Sequence, residues 1–289
     1  MRFIFKFLFV AVIILIIVGV SRYAKFFDIT PEKIANAHMG LDENYDFPEG
    51  YRAFAISSDT KTIGTYVTND LAENFRVQYV TGEIDFEEIR RRMLDQGKTP
   101  IMITAAAFTP DYENILGFAL EEGKMAGEPS VNKGLNGLLI VEDGRPRIAA
   151  VSEISNWEKF IEDLQKKKAS LFQQTSYIRP GGSFSSSTAI RFELRFFIEG
   201  SLHGNPTQGI VDFSVPMTYT QAVEVLQNIE GLQIDRAIGL DTGYMSEAQI
   251  YDELGDTHVL FDENVAPSSD SLQKYRSMFT NVIVVYIGE

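Results

Sequence analysis

IMITAAAFTPDYENILGFALEEGKMAGEPSVNKGLNGLLIVEDGRPRI, residues 101–148, holds the order of elements on which the fold turns. An apolar run from Ile101 ends in Ala105-Ala106-Ala107 and Phe108, and a Pro110-Asp111-Tyr112 loop follows. Gly117 then opens a strand-like piece to Leu120, which turns at Glu122-Gly123-Lys124. After a second polar loop a hairpin closes on Asp143-Gly144, a dipeptide that tolerates the positive φ angles of a two-residue hairpin turn. No single period runs through the stretch, so it predicts short strands joined by irregular loops.

Around this stretch the composition is that of an ordinary globular chain. The 289 residues are 45% hydrophobic and 23% charged, enough for one large domain with a full core. A net charge of −14 argues against nucleic acid as a partner, because a polyanion would be repelled. The absence of cysteine removes disulfides, thiolate nucleophiles and cysteine-type metal sites. His38, His203 and His258 are far apart and lack ligand spacing, so they read as surface or loop histidines and no metal site is assigned.

The N-terminus reads as a separate unit. Arg2 and Lys6 precede an apolar run from Phe7 to Val20, with Arg22 and Lys25 beyond it. Val18-Gly19-Val20 is a poor cleavage site, so residues 1–25 are expected to be an uncleaved signal anchor spanning the membrane once, with the body outside the cytoplasm. Residues 26–50 read as a juxtamembrane linker closed by Pro48-Glu49-Gly50, and residues 51–289 as a single domain.

Within that domain, Arg52 to Ile56 and Thr62 to Val67 predict strands. Asp85 caps a helix with Phe86, Ile89 and Met93 on its apolar face and Gly97 at its end. Trp157, Phe160, Ile161 and Leu164 recur at helical spacing, with Trp157 as a core anchor. In Ala189 to Ile198, Ile190, Phe192, Leu194, Phe196 and Ile198 share one face; Arg191, Glu193 and Arg195 share the other, expected to be exposed. Thr218 or Thr220 caps a helix buried through Ala222, Val223, Leu226 and Ile229; Arg236 to Leu240 leads a strand into Asp241-Thr242-Gly243; and Asn281 to Ile287 reads as a buried closing strand. The expected fold class is α/β (α+β), a mixed central β-sheet with packed helices.

The order within 101–148, taken with later segments, resembles the phosphodiester glycosidase family, which includes the lysosomal uncovering enzyme and many bacterial envelope proteins. The later segments are Ser170-Leu171-Phe172-Gln173-Gln174 with Arg179-Pro180-Gly181-Gly182, then Ser187-Thr188-Ala189-Ile190, the helix from Thr220, and Ile238-Gly239-Leu240-Asp241-Thr242-Gly243. Family members typically carry Asn-Ala-Gly-Phe/Met-Phe at the alanines, arginine at the place of Ser187, and Leu-Asp-Gly-Gly or Leu-Asp-Gly-Ser at Leu240. This chain departs at Ala105, Ser187 and Thr242.

The resemblance implies that Asp241 is the catalytic acid or base, or a holder of a divalent cation near phosphate. It places Gln174, Thr188, Gly243 and Asn136 at the substrate, where Gln174 would orient a sugar or phosphate oxygen; Arg179, whose loop position permits reach, is the candidate to offset phosphate charge in place of the family arginine missing at Ser187. Without the resemblance, Asp241 reads as a loop aspartate closing an Asx turn, Gln173 and Gln174 as strand residues facing opposite ways, and Asn132 and Asn136 as turn residues. No cofactor is assigned beyond that divalent cation, which the resemblance allows. Two functions follow: an extracytoplasmic hydrolase of a sugar-phosphate phosphodiester or related envelope glycan, or, given the three departures, an inactive membrane-anchored glycan-binding or structural protein on the same scaffold.

Overall fold

In the computed structural model of the protein the described residues are 37–48, 50–58, 61–82, 85–110, 114–184, 188–242, 248–252, 257–260 and 280–288. Their strands are β1 (Ala37–Leu41), β2 (Tyr51–Ser58), β3 (Lys61–Asn69), β4 (Arg76–Thr81), β5 (Thr99–Ala105), β6 (Ala119–Glu121), β7 (Lys124–Met125), β8 (Gly137–Glu142) and β9 (Arg145–Ala150). The chain continues with β10 (Ser170–Gln174), β11 (Ser176–Arg179), β12 (Gly182–Ser183), β13 (Phe192–Leu202), β14 (Asn205–Met217), β15 (Leu232–Leu240), β16 (Ala248–Tyr251), β17 (Thr257–Leu260) and β18 (Asn281–Ile287). The α-helices are α1 (Phe86–Asp95), α2 (Trp157–Lys166) and α3 (Tyr219–Asn228).

The strands form three sheets: an eight-stranded one ordered β1-β2-β3-β14-β13-β15-β11-β12, and two five-stranded ones ordered β7-β6-β10-β8-β9 and β17-β16-β5-β18-β4. Every pairing between these strands is antiparallel. The single mixed central sheet expected from sequence is therefore corrected to a mostly β domain with three helices among the described residues.

All three sheets turn one face to a common core, in which Phe197, Ile238 and Leu240 meet Tyr79, Ile283 and Val285, and Leu139 and Phe172. Each outer face has its own helix. α1 covers Val80, Ile103, Val282 and Val284; α2 lies beside the cluster of Phe118, Leu138, Ile140 and Leu171; α3 covers Phe196, Ile198 and Val211. Alternate residues of one strand thus enter different cores, and that makes Val282-Ile283-Val284-Val285 a continuous apolar run. Such runs usually signal parallel α/β sheets, which are also covered on both faces.

Local chemistry starts the helices where the sequence predicts. The Asp85 carboxylate accepts from the Glu87 and Glu88 N–H groups, Asn156 accepts from Lys159 N, and Thr218 and Gln221 cap reciprocally. Asp143 and Gly144 have φ of 49° and 74°, as the tight β8–β9 hairpin needs. Ala37–Leu41, read as linker, is instead an edge strand paired with β2; its partly polar residues carry little apolar signal. Among the described residues no helix is long and apolar enough to cross a membrane, and the expected anchor at residues 1–25 lies outside them.

Glu199 in β13 is mostly enclosed and accepts from Ile148 N at 2.8 Å. Burial raises its carboxyl above the ordinary range, against the opposing pull of the Ile148 N–H and of Arg236 and Arg147. A carboxyl whose pKa rises on folding binds more protons folded than unfolded, so stability falls as pH climbs through that window. Glu199→Gln keeps an acceptor for Ile148 and removes the charge. It should raise Tm at pH 7, and the gain should vanish below the ordinary glutamate pKa of about 4.3, where both proteins are neutral at this position. Melts at the two pH values check this.

Candidate functional site

At one end of the molecule the three sheets bring together the end of β15, the end of β5, the start of β18 and the loops around β10. Asp241, the residue after β15, donates its backbone N–H to Ala106 O at 2.9 Å. Its carboxylate Oδ2 receives Thr109 N at 3.2 Å and Thr109 Oγ1 at 3.3 Å. Thr242 Oγ1 continues the alignment by donating to Glu193 O at 2.6 Å. Asn281 clasps the other side of the alanine loop: Oδ1 accepts from Ala107 N at 2.5 Å and Nδ2 donates to Ala107 O at 3.2 Å. Ala105, Ala106 and Ala107 are all buried here, and small side chains let the loop backbone approach both partners.

The second component is a loop anchored from beneath. Gln173 in β10 has zero exposure, and its amide is fully engaged. Oε1 accepts from Phe118 N and Asn132 N, each at 2.8 Å, while Nε2 donates to Asn132 O at 3.2 Å and Leu135 O at 3.0 Å. Gly117 sits against it with φ of 84°, and a Cβ there would lie 2.9 Å from Gln173 Oε1. Asn136 Oδ1 accepts from Ser176 N at 2.8 Å, which ties the same loop to the start of β11.

The third component is a charged seam below Asp241. Across β14, β13 and β15 the register places Asp212 opposite Arg195 and Arg195 opposite Leu240. Arg195 is 2% exposed; its Nε and one terminal nitrogen reach Asp212 Oδ1 at 2.6 Å, and the other nitrogen reaches Thr104 Oγ1 at 2.5 Å. The pair thus links the large sheet to β5. The exposed polar face expected for β13 is corrected at this residue: a third sheet covers that side, and Asp212 compensates the charge. Burial lifts the Asp212 carboxyl above its ordinary range while the Arg195 guanidinium pulls it back. Tyr45 lies near enough to feel Asp212; burial, then Asp42 and Asp212, raise its pKa. Its ring meets His258 edge-on at 5.1 Å, and His258 Nε2 is 3.1 Å from Asp252.

The candidates read from sequence are distributed unevenly. Asp241 and the Asn136 loop share this end of the molecule. Gln174 Oε1 accepts from Thr175 N at 3.0 Å, and its neighbour Gln173 makes the longer-range contacts. Arg179 sits at the β11–β12 turn, beyond Ile178, which pairs with Ala237. Ala237 is four residues before Asp241, about 13 Å at the usual strand rise. Thr188 Oγ1 accepts from Ile190 N at 3.4 Å. Gly243 and Ser187 lie outside the described residues. Sequence reasoning missed Thr109, Asn281, Gln173 and the Arg195–Asp212 pair; the polar Asn281 heading an apolar strand was the one available signal. Among the described residues no three His, Asp or Glu side chains are grouped to hold a metal.

No protein-family profile matches the sequence, and no curated protein does. Solved structures do resemble the fold. The catalytic domain of zebrafish N-acetylglucosamine-1-phosphodiester alpha-N-acetylglucosaminidase, auto-inhibited by its pro-peptide, aligns with a TM-score of 0.50 at 12% identity, covering 88% of this chain and 83% of that one. A hypothetical protein from Synechocystis aligns with a TM-score of 0.49 at 10% identity, covering 88% of this chain and 68% of that one. The chain shares a distant fold relationship with a phosphodiester glycosidase.

Proposed function

We propose that the chain hydrolyses a sugar-phosphate phosphodiester or related envelope glycan, outside the cytoplasm and anchored by its N-terminal segment. The observation that carries this reading is Asp241: a carboxylate at a strand end, held on Oδ2 by the Thr109 N–H and hydroxyl, in a fold related to a phosphodiester glycosidase. Strand ends of a buried sheet combine a rigid base with loops open to ligand. In this role Asp241 takes the proton of an attacking water. The water oxygen bonds the sugar, the sugar–oxygen bond to phosphate breaks, and the phosphate monoester leaves with the electron pair. Thr109 fixes the carboxylate plane, and Asn281 fixes the loop that carries Thr109.

The test is release of free sugar from a sugar-1-phosphate methyl diester by the purified protein. Asp241→Asn is expected to lower kcat at least ~100-fold, the lower range for loss of a general acid or base. An unchanged rate removes Asp241 from the mechanism.

A second reading, glycan binding without turnover, is favoured by one observation. Gln174 Oε1 accepts from its own neighbour Thr175, so that it and Arg179, a strand's length from Asp241, stand apart from the carboxylate. Calorimetric binding of a phosphoglycan with no sugar released over hours would select this reading.

A further inference from the structure

The turn Asn132-Lys133-Gly134-Leu135 is held far more tightly than its composition requires. Within the turn, Asn132 Oδ1 accepts from Gly134 N at 2.8 Å and Leu135 N donates to Asn132 O at 3.2 Å. From below, Gln173 bonds the backbone of Asn132 and Leu135, the first and last residues of the turn. A polar surface turn would ordinarily be left to solvent. Here a whole glutamine side chain is buried to fix its position.

What the turn presents is Lys133. It is exposed, and among the described residues it makes no hydrogen bond or ion pair. In a chain of net charge −14, this places an ammonium without a carboxylate partner among the described residues on a backbone that is itself fixed, where it can receive an anion from outside. The turn belongs to the same end of the molecule as Asp241. Phe118, which shares Gln173 Oε1 with Asn132, follows Leu116, whose N–H bonds Phe108 O beside Thr109. On the other side, Thr175 follows β10 and accepts from Gly239 N, two residues before Asp241 and about 7 Å from it at strand rise.

The geometry points to Lys133 as the residue that receives the phosphate group of a substrate whose reacting bond lies at Asp241, with Gln173 as the positioning residue for the turn. This rests on the reading of Asp241 as the hydrolytic site. The ammonium is a compact point charge on a flexible stem, suited to an anion whose orientation is set by other contacts.

The full-length protein in detergent, with Lys133→Met, Lys133→Arg, Arg179→Ala and Asp241→Asn variants, tests the assignment. Two measurements are made: inorganic phosphate binding by phosphorus NMR, and turnover of the methyl diester. Lys133→Met is expected to raise KM and the phosphate Kd about tenfold, the size of one charge-assisted contact, with kcat little changed. Lys133→Arg should restore most of the affinity, and the salt dependence of binding should flatten in Lys133→Met. Wild-type KM and Kd in Lys133→Met overturn the proposal, as does the same loss produced by Arg179→Ala instead, or a wild-type protein that binds no phosphate. If Asp241→Asn retains full turnover while Lys133→Met loses phosphate, the hydrolytic role of Asp241 falls and the anion site stands. If Asp241→Asn abolishes turnover and Lys133→Met is silent, the anion site alone falls.

Discussion

Arg195→Met is expected to cost about 3–5 kcal/mol of folding stability, the range for removing one partner of a buried ion pair. At about 2–4 °C per kcal/mol for a domain of this class, Tm should fall by roughly 6–20 °C. The loss comes less from the missing attraction than from what remains. Asp212, buried where the large sheet meets β5, must either hold an uncompensated charge or take up a proton, and Thr104 loses the donor that joins β5 to β13. The double variant Arg195→Met with Asp212→Leu removes both charges and should recover more than half of the loss, because a well-packed apolar pair dispenses with desolvation on both sides. If the double variant melts as low as the single one, the seam acts through Thr104 or the backbone, and the ion-pair account is wrong.

Gln173→Leu should be nearly as damaging. The leucine fits the volume but strands the N–H groups of Phe118 and Asn132 and the carbonyl of Leu135. At about 1–3 kcal/mol for each unsatisfied buried group, two of them fully enclosed, the cost is roughly 2–6 kcal/mol. Gln173→Glu separates the halves of the amide: it keeps the acceptor for the two N–H groups, loses both donors and buries a charge. Amide hydrogen exchange locates the effect. Faster exchange confined to residues 116–118 and 132–135 in Gln173→Leu is the expected pattern, and uniform acceleration across β10 and β8 would mean that the side chain supports the sheet and not the loop.

Those two residues also show where the sequence was readable. Caps and hairpin turns follow from local chemistry, so Asp85, Thr218 and Asp143-Gly144 are legible in one dimension. Alternation in β13 correctly separates Phe196 from Arg195, but it defines two faces without saying what covers each. A polar face is read as solvent-facing unless a compensating charge is known, and Asp212 lies seventeen residues away on another strand. Similarly, Gln173 and Gln174 are indistinguishable in a strand until the loops around 117 and 132 are placed. Of the candidate site, Asp241 was singled out by the family resemblance together with its place after a buried strand, since the local pattern alone reads equally as an Asx turn. Thr109 and Asn281 were not, because their roles exist only once residues 132 and 174 positions distant in sequence are brought together.

The position of β18 between β5 and β4 has a consequence for the making of the protein. Ala107 leaves the ribosome 174 residues before Asn281, the residue that clasps it. At ~5–20 residues per second, β4 and β5 wait about 10–35 s with their facing edges unpaired. β5 is largely apolar and β4 alternates apolar with polar residues, and an open strand edge is a template for pairing with the wrong chain. Survival of the nascent protein therefore depends on what shields that gap during synthesis, and slowing translation between residues 105 and 281 should increase the insoluble fraction.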